Sequence, residues 1–458
     1  MTGLNKIYFL GIGGIGMSAL ARYYNNRKVE IFGYDKTKSI LTVALEAEGM
    51  QIHYEDSPEQ IPMQLDLVIM TPAIPKTLQE YQELIHRQIP IKKRSEVLGM
   101  ISAQHKNIAV AGTHGKTTTS ILLAHILHYA GKKITAFLGG ISVNTNSNFI
   151  DEGDDWMILE ADEYDKSFLH LRPDIAVIGS LDADHLDIYG TRDVMVQNYL
   201  EFAGCIKKGG HLLLSDVISK ADQQLFYSKF ENELTILNFG LQRNSDVSSQ
   251  IKNTSGVWIL FDYLEHGKIL IEDLKMRLPG KHNIQNVTAA IKIARMLDVR
   301  GQHIMEALDN FQGIQRRFEW KYEGNGKILI DDYAHHPEEL RAAIMACRDC
   351  YPEKHVTGIF QPHLYSRTRD FLKEFAEVLS GLDRIILVEL YPARELPIEG
   401  ISSASIFERI TLTEKFLCEK SKLIPLLESL DLEVLITLGA GDLDVMLDQI
   451  KEVLDQKI

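Results

Sequence analysis

Little in this chain points to a secreted, membrane-spanning or nucleic-acid-binding protein. Four cysteines in 458 residues are too few for a disulfide framework. No run of 18 apolar residues occurs, so no transmembrane helix is expected. The N-terminal region opens on the strand-like KIYFLGIGG from Lys6, without the apolar stretch and cleavage site of a signal peptide, and the expected compartment is cytoplasmic. Basic residues are outnumbered, with 49 Lys and Arg against 63 Asp and Glu for a formal net charge of −14. Nucleic-acid binding calls for a basic footprint and is not expected. Anionic small substrates stay open, because a few local cations can hold phosphate inside an acidic protein. The CxxC at Cys347 and Cys350 has no second pair and lies in the helix-like ELRAAIMACRDC, so it reads as packing rather than as a metal or redox site.

What is present is α/β alternation, three times over. The length exceeds what one hydrophobic core usually organises. KIYFLGIGGIG, VEIFGYD and LDLVIMTPAI alternate with helix-like segments, as in a parallel α/β module. The rhythm restarts at NIAVAGTHGK and the long helix-like TTTSILLAHILHYAGKK, with further strands at WMILEADE, DIAVIGSLDADH and GGHLLLS. Between about 233 and 279, LTILNF, VWILFDY and KILIEDL read as an antiparallel flap, followed by the helix-like NIQNVTAAIKIARML. A third alternation runs through KILIDDYAHHP, HVTGIFQPH, RIILVELYP and LEVLITLGAGD. The expected domains are 1–103, 104–318 and 319–458.

VAGTHGKTTTS, residues 110 to 120, is the most chemical stretch. It ends like a phosphate loop, but Val110 stands where the usual pattern has its first glycine, and Gly112 is the nearest glycine before Gly115. A glycine turn between a buried strand and a helix points backbone N–H groups at one spot, and the helix N-terminus adds partial positive charge. Lys116 supplies a full charge for terminal phosphates, and Thr117 a hydroxyl where a magnesium ion would sit. WMILEADE ends its apolar run on Glu160, at the carboxyl edge where ligands bind in open α/β folds, and DIAVIGSLDADHLD presents Asp184, His185 and Asp187 similarly. Each acid alone reads as a helix cap; following a phosphate loop, they read as a metal site. A histidine ligand is unusual for magnesium and common for manganese, so Mn2+ stays open.

LGIGGIGMS fits G-x-G-x-x-G at Gly11, Gly13 and Gly16, with Asp35 at the end of the next strand. Alone, that pattern suggests an NAD-dependent oxidoreductase. It specifies only close backbone approach to a pyrophosphate, however, and a UDP-sugar meets it equally well. A second loop bearing a lysine suggests one nucleotide as a substrate handle and another as an energy source.

GTHGKTTT, EADE, DADHLDIYG, LPGKHNIQNVTAA, RRFE, DDYAHHP, FQPHLYSRTRDF and LGAGD occur in the order seen in the Mur ligases, and the chain resembles that family along its whole length. The resemblance implies a Rossmann-like N-terminal domain for a UDP-sugar, a central P-loop-type ATPase domain and a Rossmann-like C-terminal ligase domain. It implies ATP-dependent amide formation in peptidoglycan synthesis, with ATP and Mg2+, and UDP-N-acetylmuramate and L-alanine as substrates; the protein would be a monomer or homodimer. A tripeptide-adding member of the family is the alternative.

By motif, Gly112, Thr113, His114, Gly115, Lys116, Thr117 and Thr118 would hold the ATP phosphates, and Thr117, Glu160 and His185 the metal. His282, Asn283 and Asn286 would lie on the adenine side, Arg317 near the phosphates, and Asp331 or Asp332 near the ribose. His335, His363 and Arg367 would surround the amino acid or the transferred phosphoryl group. Gly11, Gly13, Ile15, Gly16, Asp35, Thr71 and Ala73 would meet the sugar nucleotide. Two departures stand out: Leu364 replaces an arginine of the family's QPHRYSRT, and Tyr164 follows EADE where alanine-adding members often carry serine. SFLHLRPDIAVI fits the alanine-adding group. No lysine occurs from His185 through Ile206, so no carbamylated lysine is expected.

Overall fold

The computed structural model describes residues 3–182, 191–393 and 395–456. Three sheets follow one another along the chain. The first contains β1 (Lys6–Leu10), β2 (Glu30–Tyr34), β3 (Gln51–His53), β4 (Leu67–Met70) and β5 (Ile91–Lys93), all parallel, in the order β3-β2-β1-β4-β5. Residues 7–10 of β1 are buried on both faces of this sheet, which is why the strand reads as a continuous apolar run. The order reverses between β1 and β4, and the crevice at such a reversal is where open α/β sheets bind ligands.

The second sheet has ten strands: β6 (Asn107–Ala111), β7 (Ile134–Ser142), β8 (Ser147–Asp151), β9 (Trp156–Glu160), β10 (Ile175–Ile178), β11 (His211–Ser215), β12 (Thr235–Gly240), β13 (Val247–Ser255), β14 (Trp258–Glu265) and β15 (Lys268–Met276). Their order is β15-β14-β13-β12-β11-β10-β6-β9-β7-β8. The expected antiparallel flap needs correction at its first strand. LTILNF is β12, which pairs in parallel with β11 and belongs to the main sheet. The flap strand next to it is β13, VSSQIKNTS, whose polar composition gave no strand signal. Short turns join β13, β14 and β15, which makes those neighbours antiparallel. The β7–β8 hairpin, antiparallel and at the other edge, also lacked a clear sequence signal.

The third sheet comprises β16 (Glu319–Gly324), β17 (Lys327–Asp332), β18 (Val356–Phe360), β19 (Arg384–Leu387), β20 (Lys415–Leu417) and β21 (Val434–Leu438), ordered β16-β17-β21-β18-β19-β20. All its pairs are parallel except β16 with β17. Cys347 and Cys350 face its core from the helix Pro337–Cys350, and burial pushes both thiols up to about 12. They pack as small apolar side chains.

By compactness the chain divides into two units. One contains Met1–Gln250, Asp262–Leu274 and Asn283–Asn310; the other contains Ile251–Phe261, Lys275–His282 and Phe311–Ile458.

Candidate active site

In the first unit, β6 lies between β9 and β10, so the turn after β6 is flanked by the carboxyl ends of both neighbours. Val110 pairs with Glu160 in the β6–β9 register, which brings the end of WMILE beside the phosphate loop. Gly112 and Gly115 adopt φ of 129° and 81°, in the left-handed region that disfavours side chains. At Gly115 a Cβ would lie 2.5 Å from the Asn286 amide oxygen, so the start of the helix Lys281–Met296 packs against the loop. Asn286 in turn donates to Asn283 at 3.4 Å. The loop after β10 braces the other side. Ser180 Oγ lies 2.8 Å from Thr113 Oγ1 and accepts the His114 N–H at 2.9 Å, and Thr113 Oγ1 accepts the Asp182 N–H at 3.1 Å.

Lys116, Thr117 and Thr118 form the first turn of the helix Lys116–Tyr129, where the helix dipole favours anions. The Thr117 hydroxyl sits 3.1 and 2.9 Å from the two Glu160 oxygens. Glu160 also accepts the Gly139 N–H at 3.0 Å, and a Cβ at residue 139 would collide with that carboxylate. A hydroxyl and a carboxylate side by side are the hard oxygen donors magnesium takes alongside water and phosphate, so these residues fit the ion. His185, Asp184 and Asp187 lie outside the described residues.

Lys116 has a partner that the sequence reading missed. Its ammonium donates to the Gly112 carbonyl at 2.7 Å and to both oxygens of Glu163 at 2.8 Å. The Glu163 side chain is 0% exposed. Burial opposes the charge on Lys116, but the combined attraction of Glu163, Asp162 and Glu160 outweighs it and raises the lysine's pKa, so the lysine stays protonated. EADE thus places Glu160 and Glu163 three positions apart, one against Thr117 and the other against Lys116, two consecutive residues of the phosphate loop. That spacing was the available signal.

The first glycine loop follows β1 into the helix Ile15–Asn26. Gly11 packs on Thr71 just beyond β4, where a Cβ would come within 2.6 Å of the threonine methyl. Asp35 accepts the Gly13 N–H at 2.8 Å and the Thr37 N–H at 3.1 Å, so its carboxylate holds the loop. The Ile15 carbonyl accepts from Asn148 of β8 at 2.5 Å. Ala73 is exposed in the turn after Thr71. Beside the loop, a cavity of about 270 Å3 extends from Gly14 and Ile15 to Gly139, Glu160 and Asp162, with Arg94 in its wall.

In the second unit, His335, His363 and Arg367 are brought together. The His335 and His363 rings lie 6.1 Å apart, and His363 stacks on Tyr391 at 5.9 Å. His335 Nδ1 is 2.9 Å from the Tyr333 carbonyl, which can only accept, so the proton sits on Nδ1 and the lone pair on Nε2. Burial pushes the pKa of His335 down to about 4; nearby Glu339 opposes this, and the positive charge of Arg367 adds to it. Leu364 holds φ of 68°, donates its N–H to Tyr391 at 3.0 Å and accepts from Thr368.

The remaining residues assigned by motif mostly serve the frame of this unit. Asp332 accepts the N–H groups of Phe318 and Ala334, both at 2.7 Å, and burial raises its pKa to about 6. Asp331 accepts from Thr437 at 2.6 Å. Arg317 lies 3.8 Å from Glu339 and over the Tyr333 ring at 5.4 Å, whereas Arg316 ties down the LGAGD loop through Gly439 at 2.8 Å. His282 follows the tight Gly280 turn at the start of its helix.

Within the first unit, a lysine-bearing phosphate loop and oxygen donors fit for a cation stand at one end of a cavity that begins under a second glycine loop. That arrangement suits activation of one bound substrate by a nucleotide before it is joined to another, which defines a nucleotide-dependent ligase. Comparison with known proteins agrees. Residues 6–106 match the Mur ligase family catalytic domain, 110–294 the Mur ligase middle domain, and 316–442 the Mur ligase glutamate ligase domain. The chain is 44% identical to the UDP-N-acetylmuramate–L-alanine ligase of Flavobacterium psychrophilum over 461 residues, with 99% of each chain covered. It is 40% identical to that of Phocaeicola vulgatus, again covering 99% of each. Among solved structures, the UDP-N-acetylmuramate–alanine ligase of Thermotoga maritima superposes with a TM-score of 0.83 at 25% identity, covering 99% of this chain and 100% of the other. A murein peptide ligase of Psychrobacter arcticus shares the fold, with a TM-score of 0.74 at 20% identity over the full length of both. The chain belongs to the Mur ligase family and is an ATP-dependent, amide-bond-forming ligase. The oxidoreductase reading of the first glycine loop is thereby replaced.

Proposed function

We propose that the protein joins L-alanine to the carboxylate of UDP-N-acetylmuramate at the expense of ATP, in peptidoglycan synthesis. The activation chemistry rests on one observation: the cavity beneath the first glycine loop ends on Glu160, beside Thr117. A carboxylate bound there attacks the γ-phosphate to give an acyl phosphate and ADP. The amine of alanine then attacks the acyl carbon, and phosphate leaves from the tetrahedral intermediate. Such transfer needs positioning and charge neutralisation more than covalent help. Lys116 supplies a fixed positive charge, and Thr117 and Glu160 are the residues to hold magnesium, which neutralises phosphate oxygens when bound. Arg367 is the candidate anion contact on the acceptor side, and His335 and His363 are the candidates for taking the amine proton. The choice of alanine follows the names of relatives 40% and more identical over nearly full length. No helix among the described residues is long and apolar enough to cross a membrane, which suits cytoplasmic work on soluble substrates. The test is phosphate release from ATP and UDP-N-acetylmuramate with L-alanine, with tripeptide, or with neither. Release with L-alanine is expected; release only with tripeptide overturns the choice of acceptor.

A further inference from the structure

Arg94 begins the helix Arg94–Ser102, far in sequence from the first glycine loop, in a charged stretch, KKRSE, that looks like ordinary surface. In the fold its guanidinium reaches across the first loop. A Cβ at Gly16 would lie 2.7 Å from Arg94 Nη1, so the third glycine of G-x-G-x-x-G leaves the space that this arginine occupies. Its side chain is only 23% exposed and lies 3.8 Å from Asp162. Among the described residues lining the cavity of about 270 Å3, Arg94 is the only cation, facing the carboxylates of Glu160 and Asp162. An anionic ligand in this cavity therefore has one side-chain cation to meet, and a guanidinium presents a planar fork that matches a carboxylate.

We propose that Arg94 grips the carboxylate of the sugar nucleotide and aims it at the end of the cavity marked by Glu160, with Asp162 holding the guanidinium in place until the ligand arrives. This rests on the substrate reading above. The guanidinium lies between Gly16 of the loop and Asp162, two residues beyond Glu160, so it spans from the loop towards the Glu160 end of the cavity. The loop and the N-terminus of the helix Ile15–Asn26 are left to the pyrophosphate. Arg94 acts as a binding and positioning residue and takes no part in bond making.

The test compares titrations of wild type, Arg94→Met and Arg94→Lys with UDP-N-acetylmuramate, with UDP-N-acetylglucosamine (which lacks the carboxylate) and with ADP. Arg94→Met should bind UDP-N-acetylmuramate about 10- to 100-fold more weakly, the range of a lost charge-assisted contact. Its affinity for UDP-N-acetylglucosamine and ADP should stay within about twofold, which also shows that the fold is intact. Arg94→Lys should recover part of the loss. Equal weakening toward both sugar nucleotides, or none toward UDP-N-acetylmuramate, overturns the assignment. Wild-type binding of UDP-N-acetylmuramate is the separate control: its failure sinks the substrate reading, whereas normal wild-type binding with an unaffected Arg94→Met sinks this inference alone.

Discussion

Replacing Glu163 by glutamine keeps the shape of the side chain and removes the negative charge beside Lys116. In the ligand-free fold the lysine's three ammonium protons have the Gly112 carbonyl at 2.7 Å and two Glu163 oxygens at 2.8 Å to meet. A phosphate must displace at least one of them. Each hydrogen bond to a charged partner is worth about 1.5–3 kcal/mol, so a neutral competitor should tighten ADP binding about 10- to 100-fold. The same change weakens the empty protein. Losing the partner of a buried charge altogether costs about 3–5 kcal/mol, and glutamine, which keeps one acceptor oxygen, should cost less. Calorimetric titration with ADP and thermal unfolding with and without it measure both effects. Glu163→Gln should unfold earlier when empty and gain more from ADP than wild type does. If the variant binds ADP no more tightly, Glu163 does not compete with the nucleotide, and the reasoning fails.

Lys116→Ala should abolish ATP turnover while UDP-sugar binding persists. It also strands the buried Glu163 carboxylate, so Lys116→Met combined with Glu163→Gln should regain stability without regaining turnover, as unfolding and phosphate-release assays would show. Gly139→Ala should push Glu160 away from Thr117, raising the magnesium concentration needed for half-maximal activity far more than it changes the KM for alanine. His335 sets a pH dependence of stability. Its folded pKa of about 4 lies below the ordinary value of 6.5, so as pH falls through that window the unfolded chain takes up the proton first. Stability is fully present above about 6.5 and should drop by up to about 3 kcal/mol towards pH 4, a slope that His335→Gln removes in denaturant titrations.

The parts of the fold legible in the sequence were those whose signal is local. β1, β6, β9 and β21 are buried within parallel sheets and therefore read as apolar runs, and the phosphate loop reads from a few consecutive residues. β13 stayed hidden because VSSQIKNTS draws its place in the sheet from its neighbours rather than from its own hydrophobicity. Glu163 was hidden for a different reason: an acid after a strand looks like a helix cap until the fold encloses it with Lys116. Arg94 and Gly16 are 78 positions apart, and only the three-dimensional packing of the helix Arg94–Ser102 against the loop joins them.

The helix that follows the first glycine loop lies along β7 and β8 of the next module. Tyr23 meets Phe137 at 5.5 Å and Phe149 at 6.3 Å, Arg27 pairs with Asp151 at 3.0 Å, and the fully buried Asn148 bonds both Arg22 and the Ile15 carbonyl. β8 is the outermost strand of its sheet, and an uncovered edge is a template for unwanted pairing. The boundary between the first two modules is thus a poor place to cut or recombine the chain. An exchange of sugar-binding modules between relatives has to carry the matching surface of β7 and β8 with it, so the two modules are to be engineered as one part.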